Sequence, residues 1–137
     1  MNTIIDTDAL LGIFNTKDAL HKNAITVAKE LKKKGINTLL LPTTLSEFAR
    51  LASYQIGMEE AQEATETLLN SGMSVLELTD DLTKDAVSLY KNQTSKKESL
   101  FDCYVMAMAK KLGISHIFSF DEGYTKKVNG FELAKDL

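Results

Sequence analysis

Residues 99–121 read SLFDCYVMAMAKKLGISHIFSFD and predict a helix, a tight turn and a strand. The first half is apolar nearly all round, which is typical of a helix that is buried rather than half-exposed. Two lysines suit the negative end of that helix, and Gly113 suits the position just past it. The run 114–120 then predicts a strand in which Ile117, Phe118 and Phe120 are apolar.

One carboxylate marks each end of this unit. Asp102 lies in the first turn of the predicted helix, and Asp121 directly follows the predicted strand. An unpaired carboxylate is costly to bury, so Asp102 needs a partner. A cation shared with Asp121 is one candidate for that partner.

The rest of the chain alternates predicted strands with predicted helices. The strands are continuous apolar runs at 3–6, 37–41, 74–78, 114–120 and 131–133. The other helices are a short one capped by Thr7 or Asp8, one at 17–34, one capped by Thr43 or Thr44 and broken at Gly57, and two more at 58–71 and 82–93. Continuous apolar strands are typical of sheets covered on both faces. We therefore expect an α/β protein, a three-layer α/β/α sandwich with a mostly parallel central sheet, in one domain spanning 1–137.

Composition limits the class of protein. The chain has 137 residues, of which 44% are hydrophobic, and a net charge of −3. No apolar run reaches the roughly 18 residues that a membrane helix needs. The single cysteine, Cys103, excludes an intrachain disulfide, which suits the reducing cytoplasm. The acidic charge argues against a conventional duplex-binding module but not against an enzyme that grips nucleic acid locally.

Four acids are predicted to meet at one edge of the sheet. In an open parallel sheet, ligands bind beyond the carboxyl ends of the strands. Asp6 ends the first strand, and Asp121 ends the strand after the buried helix. Glu47 and Asp102 lie in the first turns of helices that begin at that same edge. Carboxylate oxygens are the ligands of hard divalent cations, so this edge is a candidate metal site.

Each acid also has an ordinary structural explanation. Thr44-x-x-Glu47 matches a capping box, and Ser99-x-x-Asp102 resembles one. Asp6 alone suits the cap of the following turn, and Asp121 alone suits the start of a turn. Four capping acids need not all fall at one edge of one sheet, which favours a joint role.

Four stretches of the chain resemble the motifs of PIN domains: IIDTDALLGIF, TTLSEF, SLFDCYVMAMAKKLGI and IFSFDEGY. The resemblance spans essentially the whole chain and implies a strand order of 3-2-1-4-5. By motif, the four acids match the family's acidic positions, which are both catalytic and metal-binding: Asp6, Glu47, Asp102 and Asp121. Two neighbouring hydroxyls, Thr7 and Ser119, match supporting positions.

The resemblance implies a metal-dependent nuclease that hydrolyses phosphodiester bonds of RNA with Mg²⁺ or Mn²⁺. Small single-domain members are often the toxin ribonucleases of VapC-type toxin–antitoxin pairs, so an antitoxin protein is a possible partner. Such relatives commonly pair, which predicts a homodimer through apolar residues of two helices: Leu51, Tyr54, Ile56 and Leu68.

Three cations are candidates for RNA phosphate contacts. Arg50 is the only arginine and lies one turn after Glu47, so it touches phosphate or simply pairs with that acid. Lys96 and Lys97 precede the buried helix and either grip the RNA backbone or belong to a solvated loop.

The sequence is also compatible with two other function classes. A PIN-like domain can hold nucleic acid or a protein partner without cutting, and a carboxylate–Mg²⁺ site can also cleave phosphate monoesters. Asp6-x-Asp8 superficially resembles the start of a haloacid-dehalogenase-type phosphatase, but no later lysine or acidic pair completes that pattern.

Overall fold

A computed structural model describes all residues, 1–137, and contains one sheet of five parallel strands. In chain order the strands are β1 (Asn2–Ile5), β2 (Asn37–Leu40), β3 (Ser74–Val75), β4 (His116–Phe118) and β5 (Glu132–Leu133). They are hydrogen-bonded in the order β3-β2-β1-β4-β5. The predicted fold class and the strand order implied by the resemblance are both confirmed.

Six α-helices connect and cover the strands: α1 (Thr7–Phe14), α2 (His21–Lys33), α3 (Pro42–Gln55), α4 (Met58–Leu69), α5 (Asp80–Lys91) and α6 (Leu100–Leu112). Two 3₁₀ turns, Glu122–Thr125 and Ala134–Asp136, flank β5. None of the helices combines the length and the apolarity that crossing a membrane requires.

Successive residues of the central strands face two different cores. Ile4 of β1 packs in a cluster with residues of α5 and α6, whereas Ile5 packs with residues of α1, α3 and α4. The sheet is therefore covered on both faces, which is why its strands read as continuous apolar runs. α6 is buried from Val105 to Ala109, as predicted, although Phe101 at its start is exposed.

Several predicted boundaries were wrong. α2 begins at His21 rather than at 17, because Asp18 closes a turn in which its Oδ1 accepts from Leu20 N at 2.8 Å. β3 and β4 are shorter than predicted. After β4 the chain turns at once, since Ser119 N bonds back to Ile117 O at 3.0 Å.

Two predicted helix caps were also wrong. Asp6, not Thr7 or Asp8, caps α1, and its Oδ1 accepts from Thr7 N at 2.7 Å, which confirms the capping explanation given for Asp6 alone. α3 begins at Pro42 without a side-chain cap, so neither Thr43 nor Thr44 caps it. Proline suits a first helical position because its φ is preset and its missing N–H has no partner there anyway. This earlier start places Glu47 in the second turn of α3 instead of the first.

Candidate active site

Tyr124 joins two of the predicted acids, Asp6 and Asp102. Its side chain is 2% exposed and lies in the 3₁₀ turn that follows Asp121. Its hydroxyl donates to Asp6 Oδ2 at 2.5 Å and lies 3.2 Å from Asp102 Oδ1. An acid at the end of β1 and an acid at the start of α6 are thus brought together around one phenol.

The capping box predicted at the start of α6 is formed in the structure. Asp102 Oδ2 accepts from Ser99 N at 2.9 Å, and Asp102 N donates to Ser99 Oγ at 3.3 Å. The bond from Ser99 N uses Oδ2 of Asp102 and leaves Oδ1 facing Asp6 and Tyr124. Asp102 therefore caps α6 and lies beside Asp6 at the same time.

The charged forms of Asp6 and Asp102 are both disfavoured. Burial raises the pKa of Asp6 well above its ordinary value, and the charges of Asp102 and Asp8 add to that rise. Burial likewise raises the pKa of Asp102 to about 6, against the lowering effect of its hydrogen bond from Ser99. Burial and the charge of Asp6 raise the pKa of Tyr124, so its phenol stays a neutral donor. Titratable groups shifted by burial and by like charges in one cleft are typical of functional sites.

Glu47 is held from α1. Its Oε1 accepts from Thr7 Oγ1 across 40 positions of sequence. Thr7 is buried and directly follows Asp6, so this bond draws the side chain of α3 toward the end of β1. The predicted supporting hydroxyl is the contact that links Glu47 to this edge.

Asp121 is exposed and does start a turn, since its Oδ1 accepts from Gly123 N at 2.8 Å. Its own N–H donates to Ser119 Oγ at 3.0 Å, and Ser119 Oγ donates to Asp8 Oδ1 at 2.9 Å. Asp8 Oδ2 also accepts from Phe120 N at 2.7 Å. Ser119 and Asp8 therefore tie α1 to the segment that carries Asp121.

Comparison with known protein families identifies the domain that carries this site. A sequence model described as "PIN domain" matches residues 3–129. The chain belongs to the PIN domain family.

Relatives of this PIN domain agree with that assignment. Over 126 residues, 90% of each protein, it is 27% identical to the VapC ribonuclease of Aquifex aeolicus. The solved structure of Mycobacterium tuberculosis VapC20, a sarcin-ricin loop cleaving toxin, matches with a TM-score of 0.78 at 22% identity, over 90% of this chain and 92% of that one. VapBC2 of Rickettsia felis, solved with a DNA fragment from its promoter, matches with a TM-score of 0.69 at 14% identity over 97% of both chains. At these identities the structural matches show the fold alone.

The predicted phosphate-contacting cations lie outside the acidic network of this PIN domain. Arg50 is exposed and does not pair with Glu47, so that alternative is not observed. Lys96 and Lys97 are exposed in the loop before α6 and pair with no acid. All three charges are available to a ligand.

Sequence reasoning missed Glu98, which braces the turn that carries Tyr124. Glu98 is 6% exposed, and its Oε1 accepts from Lys126 Nζ at 2.7 Å. A Cβ at Gly123 would lie 2.6 Å from that same oxygen, so any larger residue there would push Glu98 away from its present position. Asn129 Nδ2 then donates to Gly123 O at 2.8 Å and holds the turn from its other side.

The donors suit a hard divalent cation. No three acidic, histidine or cysteine side chains stand close enough together to surround one ion. Mg²⁺ keeps several waters and needs only one or two carboxylates. Asp6 and Asp102, whose Oδ2 and Oδ1 both reach the Tyr124 hydroxyl, meet that requirement. A cation there would also neutralise two charges that removal from water disfavours.

Proposed function

We propose that this PIN domain is a divalent-metal-dependent endoribonuclease and the toxin of a toxin–antitoxin pair. The observation that carries the proposal is the meeting of a buried carboxylate, Asp6, and a half-buried one, Asp102, whose Oδ2 and Oδ1 reach one hydroxyl at the carboxyl edge of the sheet. Similarity to the A. aeolicus VapC ribonuclease over 90% of both chains supports RNA as the substrate class.

Asp6 and Asp102 would hold Mg²⁺ or Mn²⁺, with Glu47 and Asp121 completing the acidic rim. When bound, such a cation supplies activated water and neutralises charge on the phosphodiester. The backbone donors Thr7 N and Ser99 N fix one oxygen of Asp6 and of Asp102, and so orient both carboxylates.

Neighbouring side chains would position the rest of the site. The Thr7 hydroxyl holds Glu47, and the Ser119 hydroxyl accepts from the backbone of Asp121. We assign the exposed cations to phosphates of the RNA strand on either side of the acids: Arg50, Lys96 and Lys97. With a net charge of −3, few phosphate contacts are available, so RNA binding is expected to be weak and only moderately salt-sensitive.

The test is cleavage of an end-labelled single-stranded RNA with Mn²⁺ and with EDTA. We expect internal cuts only with the cation, and products with 5′-phosphate and 3′-hydroxyl ends, because water rather than the ribose 2′-hydroxyl attacks. Asp6→Asn and Asp121→Asn should each remove cleavage without changing the circular dichroism spectrum. Asp85→Asn is the matched control, since Asp85 is an exposed acid on α5.

The same assay separates the rival functions. Cleavage that survives EDTA, or that leaves 2′,3′-cyclic phosphate, contradicts a metal-dependent hydrolysis. RNA that binds but is not cut with Mn²⁺ favours a non-cutting domain. Hydrolysis of p-nitrophenyl phosphate without RNA cleavage favours a phosphatase.

A second copy of the chain and an antitoxin are the proposed protein partners. The fold is shared with VapBC2 of R. felis and with VapBC-1 of nontypeable Haemophilus influenzae, at TM-scores of 0.69 and 0.64. α3 and α4 expose three large apolar side chains, Tyr54 (79%), Met58 (65%) and Leu69 (55%). Leu68, expected on that face, is instead 3% exposed in the core. Sedimentation should show a dimer, and a species of 15.2 kDa at micromolar concentration would exclude one.

A further inference from the structure

Tyr124 lies where the two unshared carboxylate oxygens of the site meet. One oxygen of each acid is occupied by a backbone N–H, Asp6 Oδ1 by Thr7 and Asp102 Oδ2 by Ser99. The remaining two oxygens, Asp6 Oδ2 and Asp102 Oδ1, both face the Tyr124 hydroxyl, at 2.5 and 3.2 Å. These are the atoms that a cation bridging the two acids would bind.

A phenol satisfies only half of this arrangement. Its hydroxyl has one proton, which the short bond directs to Asp6. The same single proton is all that the hydroxyl can offer to Asp102 Oδ1 at 3.2 Å, so this second hydrogen bond is the weaker one. A divalent cation would satisfy both acids at once, which the hydroxyl cannot.

The hydroxyl and a cation that binds both acids would use the same two carboxylate oxygens. A magnesium-type ion lies about 2.1 Å from each ligand oxygen. The hydroxyl oxygen already lies 2.5 and 3.2 Å from the same two atoms, so it competes with such an ion for both oxygens.

We propose that the Tyr124 hydroxyl is a placeholder for the cation: it occupies the position between Asp6 and Asp102 in the cation-free protein and is displaced when the cation binds. The inference rests on the proposed function, because it concerns the same two carboxylates. It makes Tyr124 a positioning residue that holds the acids together without metal and opposes metal binding by the strength of its hydrogen bond to Asp6.

The first test follows the hydroxyl itself. A buried phenol that donates to a carboxylate absorbs at longer wavelength than one that does not. Titration of the cation-free protein with Mg²⁺ should therefore shift the near-ultraviolet absorption of one tyrosine to shorter wavelength. The chain has four tyrosines, and the shift should be absent in Tyr124→Phe and intact in Tyr104→Phe. Tyr104 is the control because it is half-buried, unlike Tyr124, and its hydroxyl bonds only Thr83 Oγ1 at 3.0 Å, not a carboxylate.

The second test measures the competition. Calorimetric titration with Mn²⁺ should show about tenfold tighter binding to Tyr124→Phe than to the parent, since no hydrogen bond to a charged group has to be broken. In EDTA the variant should melt below the parent, and with saturating Mn²⁺ the two melting temperatures should converge. A merely structural hydroxyl would lower both melting temperatures equally.

Failure of this inference is distinguishable from failure of the proposed function. If the parent binds Mn²⁺ and Tyr124→Phe binds it equally or more weakly, the placeholder is refuted and the metal site stands. If Mg²⁺ binds without any tyrosine shift, the hydroxyl is not displaced, and this holds even where the variant fails to fold. If the parent binds neither cation, the proposed function falls and the inference falls with it.

Discussion

The N-termini of α3 and α6 carry the same kind of sequence pattern and use it differently. Ser99-x-x-Asp102 forms both reciprocal bonds of a capping box. Thr44-x-x-Glu47 matches the capping-box pattern more closely, since it ends in Glu, but α3 starts without any side-chain cap. Each helix nevertheless brings an acid to the carboxyl edge of the sheet.

Proline explains the difference. β2 leads almost directly into α3, with Leu41 at the N-cap and Pro42 at the first helical position. Thr44 is consequently inside the helix, and Glu47 is too far along it to reach back to the cap. α6 instead follows a polar loop without proline, so Ser99 is free to take the extended conformation that a cap requires.

The comparison teaches that capping and a role in the site are compatible. Asp102 divides its two oxygens between the helix and the meeting point with Asp6. Glu47 does not cap its own helix, and its side chain is held instead by the Thr7 hydroxyl at the start of α1. The four predictions below separate these two arrangements, beginning with the largest effect.

The largest effect should be on cleavage, where the two helices are expected to behave alike. Glu47→Gln and Asp102→Asn should each reduce single-turnover RNA cleavage with Mn²⁺ by more than the roughly 10–100-fold typical of outer-shell partners. Glu63→Gln, on the exposed face of α4, is the matched control. Parental cleavage by Glu47→Gln would remove α3 from the site.

The next effect is on the stability of the cation-free protein, where the two helices should differ. Asp102 has a folded pKa of about 6, raised from 3.8, so the folded state binds its proton more tightly than the unfolded chain does. The stabilisation from this proton is present below about pH 4 and is lost as pH rises through about 6. Asp102→Asn keeps the acceptor for Ser99 N and removes the charge. In EDTA its free energy of unfolding should exceed the parent's by on the order of 2 kcal/mol at neutral pH. Near pH 4 the two free energies should be almost equal.

Thermal melts across that pH range check this prediction, and Mn²⁺ provides the control. The variant should lose the Mn²⁺-induced rise in melting temperature that the parent shows. An Asn variant with a parental Mn²⁺ shift would refute a cation shared through Asp102. A variant that is less stable at every pH would mean that the cap outweighs the charge.

The cap itself should have a smaller effect. Ser99→Ala removes the acceptor for Asp102 N at 3.3 Å and should lower the free energy of unfolding by about 1 kcal/mol. Urea unfolding in EDTA measures it, with Ser115→Ala as the matched control because Ser115 is exposed and lies outside every helix. An unchanged midpoint would show that the box seen in the structure contributes nothing.

The fold could be predicted because its signals are local. Continuous apolar runs mark the strands, three- and four-residue spacing marks the helices, and parallel topology places Asp6 and Asp102 at one edge whatever the details. The errors were at element ends. The pattern at Thr44 misled because a capping box reads the same in sequence whether or not a proline starts the helix earlier.

The contacts inside the site could not be predicted, because they join distant positions. Tyr124 meets Asp6 across 118 residues, and Ser119 meets Asp8 across 111. The local sequence Asp121-x-x-Tyr124 does not indicate whether the Tyr124 hydroxyl points at an acid or at solvent. Only the packed 3₁₀ turn, braced by Glu98 and Asn129, gives it that direction.

The smallest effect on the free energy of unfolding is expected at Thr44, whose capping-box pattern does not form a cap. Thr44 is 1% exposed within α3, so Thr44→Val conserves its volume and removes only a hydroxyl that takes no part in capping. If Pro42 sets the helix start, the free energy of unfolding should change by less than about 0.5 kcal/mol, within the range of uneventful substitutions. The same urea experiment that measures Ser99→Ala provides the comparison. A loss as large as that of Ser99→Ala would mean that Thr44 does cap α3 in solution, and that Glu47 is held at its own helix rather than by Thr7.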